Sequence, residues 1–157
     1  MLLNEQGDAT ANITQPTLIM HVCNCEGGWG RGFVLALSKK WPDTEHGYRA
    51  WAKPGYKGKY GDNASFALGE VQFVEVEKGV WVANMIAQTL EGKKRELNYE
   101  ALYQCLEKAR DFSVKNNLDV RCPMLGAGLS GGDWHIIKAM LESIFDSVDV
   151  NCTWYKF

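Results

Sequence analysis

Short apolar segments alternate with amphipathic segments along the chain. Residues 17–23 (TLIMHVC) are apolar over nearly their whole length, which predicts a buried central strand. After a glycine-rich stretch, residues 33–37 place three apolar side chains on one helical face. Pro42 breaks this helix and precedes a second short helix that reaches Trp51.

The second half of the chain continues the alternation. The β-branched runs 71–76 and 80–86 flank Lys78-Gly79, which predicts a β-hairpin. Asn98 is a good helix cap and precedes a helix with a continuous apolar face. The members of that face are Ala101, Leu102, Cys105, Leu106, Ala109 and Phe112. A strand over 118–122, a helix over 134–144 and a closing strand over 148–155 complete the prediction.

Strands that alternate with helices predict an α/β fold, in which helices cover both faces of one sheet. Residues 53–63 are rich in Gly and Lys and indicate a surface loop, so residues 1–157 are expected to form a single domain. Two glycine-rich loops, 24–32 and 126–132, each connect a buried strand to a helix. Such turns lie at the carboxyl ends of strands, where ligands bind in these sheets.

Charge and composition narrow the class of partner. The formal net charge of −2 disfavours a general nucleic-acid binder, which would carry a basic excess. Backbone N–H groups can still hold the phosphates of a small molecule. No apolar stretch is long enough to cross a bilayer, so no membrane partner is expected.

The cysteines and the first residues of the chain bear on the cellular compartment of the protein. Five scattered cysteines are typical of reduced thiols, and no secretory signal is visible, so a cytoplasmic location is expected. His21, Cys23 and Cys25 are too closely spaced for a structural zinc site, and no second ligand pair follows. Neither a metal nor a cofactor is predicted.

The two loops have the composition of an anion site. Four glycines in nine residues let the first loop approach a ligand closely, and the following helix offers free N–H groups. The second loop stands in the same relation to the helix that begins near Asp133. Facing each other, the loops could hold a diphosphate, although each is also compatible with an ordinary tight turn. Neither matches the dinucleotide fingerprint or the P-loop.

Three segments together resemble the macrodomain family. Residues 7–10 (GDAT) resemble the opening motif of that family. Residues 21–32 (HVCNCEGGWGRG), followed by Trp41-Pro42, are similar to the branch that includes fungal ADP-ribose 1''-phosphate phosphatases. Residues 123–134 resemble the second binding loop of that branch. The resemblance implies a three-layer α/β/α fold with a central mixed sheet, and ADP-ribose or its 1''-phosphate as the ligand.

The resemblance also implies roles for individual residues. Asp8 would accept a hydrogen bond from the adenine amino group, with Ala9 in the same pocket. Asn24 would contact the distal ribose, while Gly30 and Gly32 would let the first loop lie against the ribose and diphosphate. The second loop would offer the diphosphate the backbone N–H groups of Ala127, Gly128, Leu129, Ser130 and Gly131.

Each assignment has a structural alternative. Asp8 is also an ordinary turn residue, and Asn24 can bond its own backbone in an Asx-turn. His21 lies in an apolar strand, where a histidine is commonly a packed residue, but it is three residues before Asn24 and is the best candidate for a catalytic acid-base group. Asp133 is a second catalytic candidate, and a helix N-cap explains it equally well.

Three functions remain open at this stage. A phosphatase acting on ADP-ribose 1''-phosphate fits the resemblance, since an oriented water and backbone donors can suffice for phosphoryl transfer. A non-catalytic ADP-ribose reader is the main alternative. An ADP-ribosyl glycohydrolase is disfavoured, because Gln88 and Ser130 stand where a related branch has its reactive lysine and aspartate.

Overall fold

The computed structural model describes residues 1–56, 58, 64–91, 94–128 and 130–157. Seven strands and four helices form within these ranges. In chain order they are β1 Leu2–Gln6, β2 Thr17–Asn24, α1 Phe33–Lys40, α2 Asp43–Trp51, β3 Val71–Glu77, β4 Val80–Glu91, β5 Lys94–Leu97, α3 Tyr99–Asn116, β6 Asp119–Pro123, α4 Trp134–Phe145 and β7 Cys152–Lys156.

The strands form one mixed sheet in the order β1-β7-β6-β2-β4-β3, and β5 pairs with β4. Strands β1, β7, β6, β2 and β4 run parallel to one another. Strands β3 and β5 run antiparallel to β4. The predicted central mixed sheet is therefore confirmed.

Side chains alternate between the two faces of the central strand β2. Leu18 and Met20 join the core formed with α3 and α4. Ile19 packs with the core residues of α1, and Cys23 packs with those of α2. Because helices cover both faces, nearly every position of β2 meets a core on one face or the other, which explains its nearly continuous apolar run.

Most predicted elements are present, and two strands were missed. The hairpin across Lys78-Gly79 is confirmed, and Asn98 caps α3 by accepting a hydrogen bond from the Ala101 N–H at 2.9 Å. Strands β1 and β5 are short and largely exposed, so they have no alternation of apolar and polar residues from which a strand could be predicted. The last strand begins at Cys152, four residues later than predicted. Part of the predicted loop over 53–63 lies outside the described residues.

A buried polar chain joins the sheet to α2. The Asn84 side-chain amide donates to the Thr44 carbonyl and to Gln72 Oε1, at 3.2 and 3.0 Å. Its Oδ1 therefore faces His21 and accepts a hydrogen bond from His21 Nε2 at 2.5 Å. His21 is 2% exposed, and burial lowers its pKa to about 4, although the bond to Asn84 opposes the shift.

The low pKa of His21 makes stability depend on pH. The unfolded chain binds a proton at His21 below about pH 6.5, whereas the folded chain binds it only near pH 4. The free energy of unfolding should therefore fall by about 3 kcal/mol between pH 6.5 and 4 on account of this residue. Urea denaturation across that range should show a smaller decrease in the free energy of unfolding for His21→Gln than for the wild type. The control variant His135→Gln changes an exposed histidine and should show the same decrease as the wild type. An equal decrease in all three proteins would contradict the prediction.

Candidate functional site

A cleft of about 770 Å³ lies where the parallel strands end. Its walls come from the loop after β1, the end of β2 with the loop that follows, parts of β4 and β5, the loop after β6 and the end of β7. Its volume lies in the range of small-molecule sites, and its position is the usual one for ligands in open α/β sheets.

Strand order sets the long axis of the cleft. Asp8 follows β1 at one end, whereas Gln88 on β4 and Arg95 on β5 line the other end. Four inter-strand steps of about 4.8 Å separate β1 from β4, so the ends are roughly 19 Å apart. The site is therefore a long groove that an extended ligand can fill.

Asp8 is half-buried and faces the cleft. Its Oδ1 accepts hydrogen bonds from the Thr10 N–H and the Thr10 hydroxyl, both at 2.8 Å. Its Oδ2 accepts no hydrogen bond from the described residues. The turn role and the ligand role are therefore compatible, because each uses a different carboxylate oxygen. Ala9 lines the same end and is itself buried.

Arg121 holds the loop that carries Asp8. Its guanidinium donates to the carbonyls of Ala11 and Asn12 at 2.6 and 3.2 Å and lies 5.5 Å from the centre of the Tyr155 ring. The sequence predictions did not include Arg121. A charged side chain between the apolar residues Val120 and Cys122 was the available signal.

Asn24 organises the first glycine loop. Its Oδ1 accepts from the Glu26 and Gly28 N–H groups at 2.8 and 3.1 Å, and its Nδ2 donates to the Gly28 carbonyl at 2.8 Å. The Tyr48 hydroxyl donates to the Asn24 carbonyl at 2.6 Å, and burial raises the pKa of Tyr48. Asn24 lines the cleft but is only 4% exposed. The structure favours the Asx-turn alternative as its main task.

The N-terminus of α1 opens into the cleft without a capping side chain. Its N-cap is Gly32, with φ of +76°, and no acidic residue occupies the first turn. Gly30, Gly32 and Phe33 all line the cleft. The positive end of the helix dipole and its unpaired N–H groups therefore face the space that a ligand would fill.

The second loop brings part of its predicted set to the cleft. Ala127, Gly128 and Ser130 line it, and the N–H groups of Gly128 and Ser130 donate to no acceptor among the described residues. The Gly131 N–H instead donates to the Gly128 carbonyl at 3.1 Å, and Gly131 is not among the lining residues. Leu129 lies outside the described residues.

Gln88 and Ser130 meet in space although 42 residues separate them. The Gln88 side-chain amide donates to the Ser130 hydroxyl oxygen, and both residues are buried. The bond ties the second loop to β4. The pair supplies an amide and a hydroxyl at this point, but no ammonium group and no carboxylate.

His21 lines the cleft as a packed, uncharged residue. Its ring lies edge-on to Trp29, with 5.4 Å between ring centres. Because Nε2 donates to Asn84, the neutral ring leaves Nδ1 as the proton acceptor, 3.9 Å from Cys23 Sγ. Burial also raises the pKa of Cys23, so its thiol is protonated. The site therefore holds a neutral imidazole and no thiolate.

Asp133 is the N-cap of α4, which is the structural alternative to a catalytic role. Its carboxylate accepts a hydrogen bond from the His135 N–H at 2.9 Å, which caps α4. Its own N–H donates to the Tyr99 hydroxyl at 2.8 Å. Asp133 is not among the residues that line the cleft. The N-cap role accounts for this aspartate without a catalytic one.

Within the described ranges, no group of three or more His, Cys, Asp or Glu residues is arranged to hold a metal ion. The helices in the same ranges are too short or too polar to cross a membrane.

The chain is similar to known proteins over its whole length. No family model matches it. It is 38% identical to a solved protein of unknown function from Bacteroides thetaiotaomicron, with a TM-score of 0.88 over 100% of this chain and 98% of that one. It is 23% identical to the ADP-ribose 1''-phosphate phosphatase of Meyerozyma guilliermondii over 80% of this chain and 83% of that protein.

One structural relative carries the family name. The chain is 37% identical to a macrodomain protein from Streptomyces coelicolor, with a TM-score of 0.84. The similarity covers 100% of this chain and 99% of that protein. With the three-layer fold and the two glycine loops at the strand ends, this similarity is enough to place the protein: the chain belongs to the macrodomain family.

Proposed function

We propose that the cleft binds ADP-ribose and that the protein hydrolyses ADP-ribose 1''-phosphate to ADP-ribose and phosphate. The observation that carries the proposal is the order of groups along the groove. A free carboxylate oxygen lies at one end, unpaired backbone N–H groups lie in the middle, and hydroxyl and guanidinium donors lie at the other end. The similarity to the ADP-ribose 1''-phosphate phosphatase of Meyerozyma guilliermondii supports the same reaction.

The adenine would lie at the Asp8 end. Thr10 fixes the carboxylate through Oδ1, so Oδ2 is held in place to accept a hydrogen bond from the exocyclic amino group. Ala9 supplies an apolar wall beside it. Arg121 keeps the whole loop against β6, which limits the conformational entropy lost when the base binds.

The diphosphate would lie between the N-terminus of α1 and the second loop. The N–H groups around Gly32 and those of Gly128 and Ser130 are preorganised donors for phosphate oxygens. Such donors require no basic side chain, which agrees with the slightly negative net charge of the protein. The distal ribose would then lie near Asn24 and Gln88.

Hydrolysis would need little covalent help from the protein. Water adds to phosphorus, the bond between phosphorus and the 1'' oxygen breaks, and a proton passes to the leaving ADP-ribose oxygen. His21 lines the cleft and has one proton-acceptor nitrogen, Nδ1, whose contact among the described residues is the protonated Cys23 thiol at 3.9 Å. A pKa of about 4 makes it a weak base, so we expect a modest turnover rate.

Binding without turnover is the second candidate, and one observation favours it. His21 is packed against Trp29, and Asn84 holds its Nε2, so the residue has a complete structural role without any chemistry. A glycohydrolase that depends on a reactive lysine is not supported, because the Gln88–Ser130 pair offers no amine nucleophile.

Asp8→Ala should weaken ADP-ribose binding by about 10- to 100-fold, the effect expected for losing a hydrogen bond to a charged group. Isothermal titration calorimetry with inosine diphosphate ribose, which lacks the exocyclic amino group, shows whether the lost affinity comes from the bond between Asp8 and that group. The wild type should bind this analogue less tightly than ADP-ribose, and Asp8→Ala should bind both alike. Asp149→Ala, a change at an exposed carboxylate, is the matched control. A variant that keeps its preference for the adenine ligand would rule out this role for Asp8.

His21→Ala should lower the rate of phosphate release from ADP-ribose 1''-phosphate by at least 100-fold. Its ADP-ribose affinity should stay within about threefold of the wild-type value, because His21 is not assigned to binding. His21→Gln, which retains a polar side chain for Asn84, should separate lost chemistry from lost stability. A wild type that binds ADP-ribose tightly and releases no phosphate would eliminate the phosphatase in favour of the binding protein.

A further inference from the structure

Arg95 is a cationic side chain that lines the cleft. It is half-buried on the short strand β5 and lines the same end of the groove as Gln88 and Ser130. No described residue forms an ion pair or hydrogen bond with its guanidinium. A partly buried arginine is usually paired, because taking its charge out of water is unfavourable without an anion or acceptor nearby.

Strand pairing fixes the position of Arg95 relative to the cleft. Leu97, two residues further along β5 and on the same strand face, pairs with Gln88 in register. The Leu97 N–H also donates to the Ser130 carbonyl at 3.2 Å. Arg95 itself pairs with Leu90. Strand β5 is thus joined both to β4 and to the second loop, and it presents the guanidinium at the end of the groove opposite Asp8.

The charges along the groove are asymmetric. The cationic side chains that line it are Arg31, Arg95 and Lys156, and Asp8 is the one carboxylate side chain among the described lining residues. Asp8 lies at the β1 end together with Lys156, whereas the described lining residues at the β4 end include Arg95 and no carboxylate side chain. A ligand that matches this pattern carries a donor at the first end and a negative charge at the second.

The hydroxyl of Ser130 adds a second donor at this end. Because the Gln88 amide donates to the Ser130 oxygen, the hydroxyl keeps its own proton for another acceptor. A planar guanidinium and a neighbouring hydroxyl are suited to the oxygens of a phosphate, which a guanidinium can bind through two parallel hydrogen bonds.

We propose that Arg95 is a specificity-determining residue that binds a phosphate monoester carried by the distal ribose, with the Ser130 hydroxyl as a second donor. The inference rests on the proposed ADP-ribose site, because it uses the direction of the ligand in the groove. It adds a reason for the protein to prefer a phosphorylated ligand over ADP-ribose itself. Arg95 binds and orients the phosphate in this role, whereas proton transfer is left to other groups.

The test compares two ligands on four proteins. Calorimetry measures the affinities of ADP-ribose and of a non-hydrolysable phosphonate analogue of ADP-ribose 1''-phosphate. The proteins are the wild type, Arg95→Gln, Arg95→Lys and Lys94→Gln. Lys94 is the matched control, since it is exposed on the opposite face of β5, outside the cleft lining, and its change removes the same charge.

The wild type should bind the phosphonate about 10-fold more tightly than ADP-ribose, and the preference should shrink as salt is raised. Arg95→Gln should abolish the preference while ADP-ribose affinity changes less than about twofold. Arg95→Lys should retain part of the preference, because the charge remains but the two-pronged geometry is lost. Lys94→Gln should behave as the wild type.

Three results would overturn the role of Arg95 while ADP-ribose binding stands: equal wild-type affinity for both ligands, an equal loss for both ligands in Arg95→Gln, or the same loss in Lys94→Gln. A wild type that binds neither ligand would overturn the ADP-ribose site itself, and the role of Arg95 with it. The ADP-ribose measurement on the wild type therefore separates the two failures.

Discussion

The parallel pairing of β2 between β6 and β4 is the constraint on which the site depends. It buries β2 on both faces and brings the carboxyl ends of the central strands to one edge of the sheet. The chain must leave that edge through loops, and the two glycine-rich loops start there. The free N–H groups of the cleft are thus a consequence of strand direction, because a helix that follows each loop begins at the ligand side.

Glycine allows the first loop to bend, but its shape comes from the polar side chains that hold it. Asn24 supplies three hydrogen bonds to the loop backbone, and Tyr48 on α2 fixes the carbonyl of Asn24. Arg49, also on α2, donates to the Trp29 carbonyl at 3.2 Å. Since α2 is itself joined to the sheet through Asn84, the loop, the helix and the strand are positioned together.

The sequence predicted the parts of the fold that have local patterns. The apolar run of β2, the hairpin across Gly79 and the cap at Asn98 each have a signal within a few residues, and all three are present. Arg121 had only a weak signal, because its partners Ala11 and Asn12 are far away in the chain. The short strand that carries Arg95 has no alternating pattern, and its place beside the cleft depends partly on the contact of Leu97 with the distant Ser130. The sequence could likewise propose two roles for Asp133 and for Asn24. The packing shows that Asp133 caps α4 outside the cleft lining, whereas Asn24 both organises the first loop and lines the cleft.

In the proposed function, the distribution of charge in the groove accounts for binding with slow turnover. In its middle, backbone N–H groups are fixed by the fold and need no reorganisation when an anion arrives, which favours binding. The buried imidazole of His21 is uncharged near neutral pH, so it adds no positive charge to the cleft and takes up a proton weakly. The described lining side chains with a formal charge are Asp8, Arg31, Arg95 and Lys156, and in the proposed binding mode Asp8 and Arg95 lie at the two ends of the ligand. Selectivity in such a groove depends on what a ligand carries at its two extremities, while its central diphosphate provides affinity that all ligands of the class share.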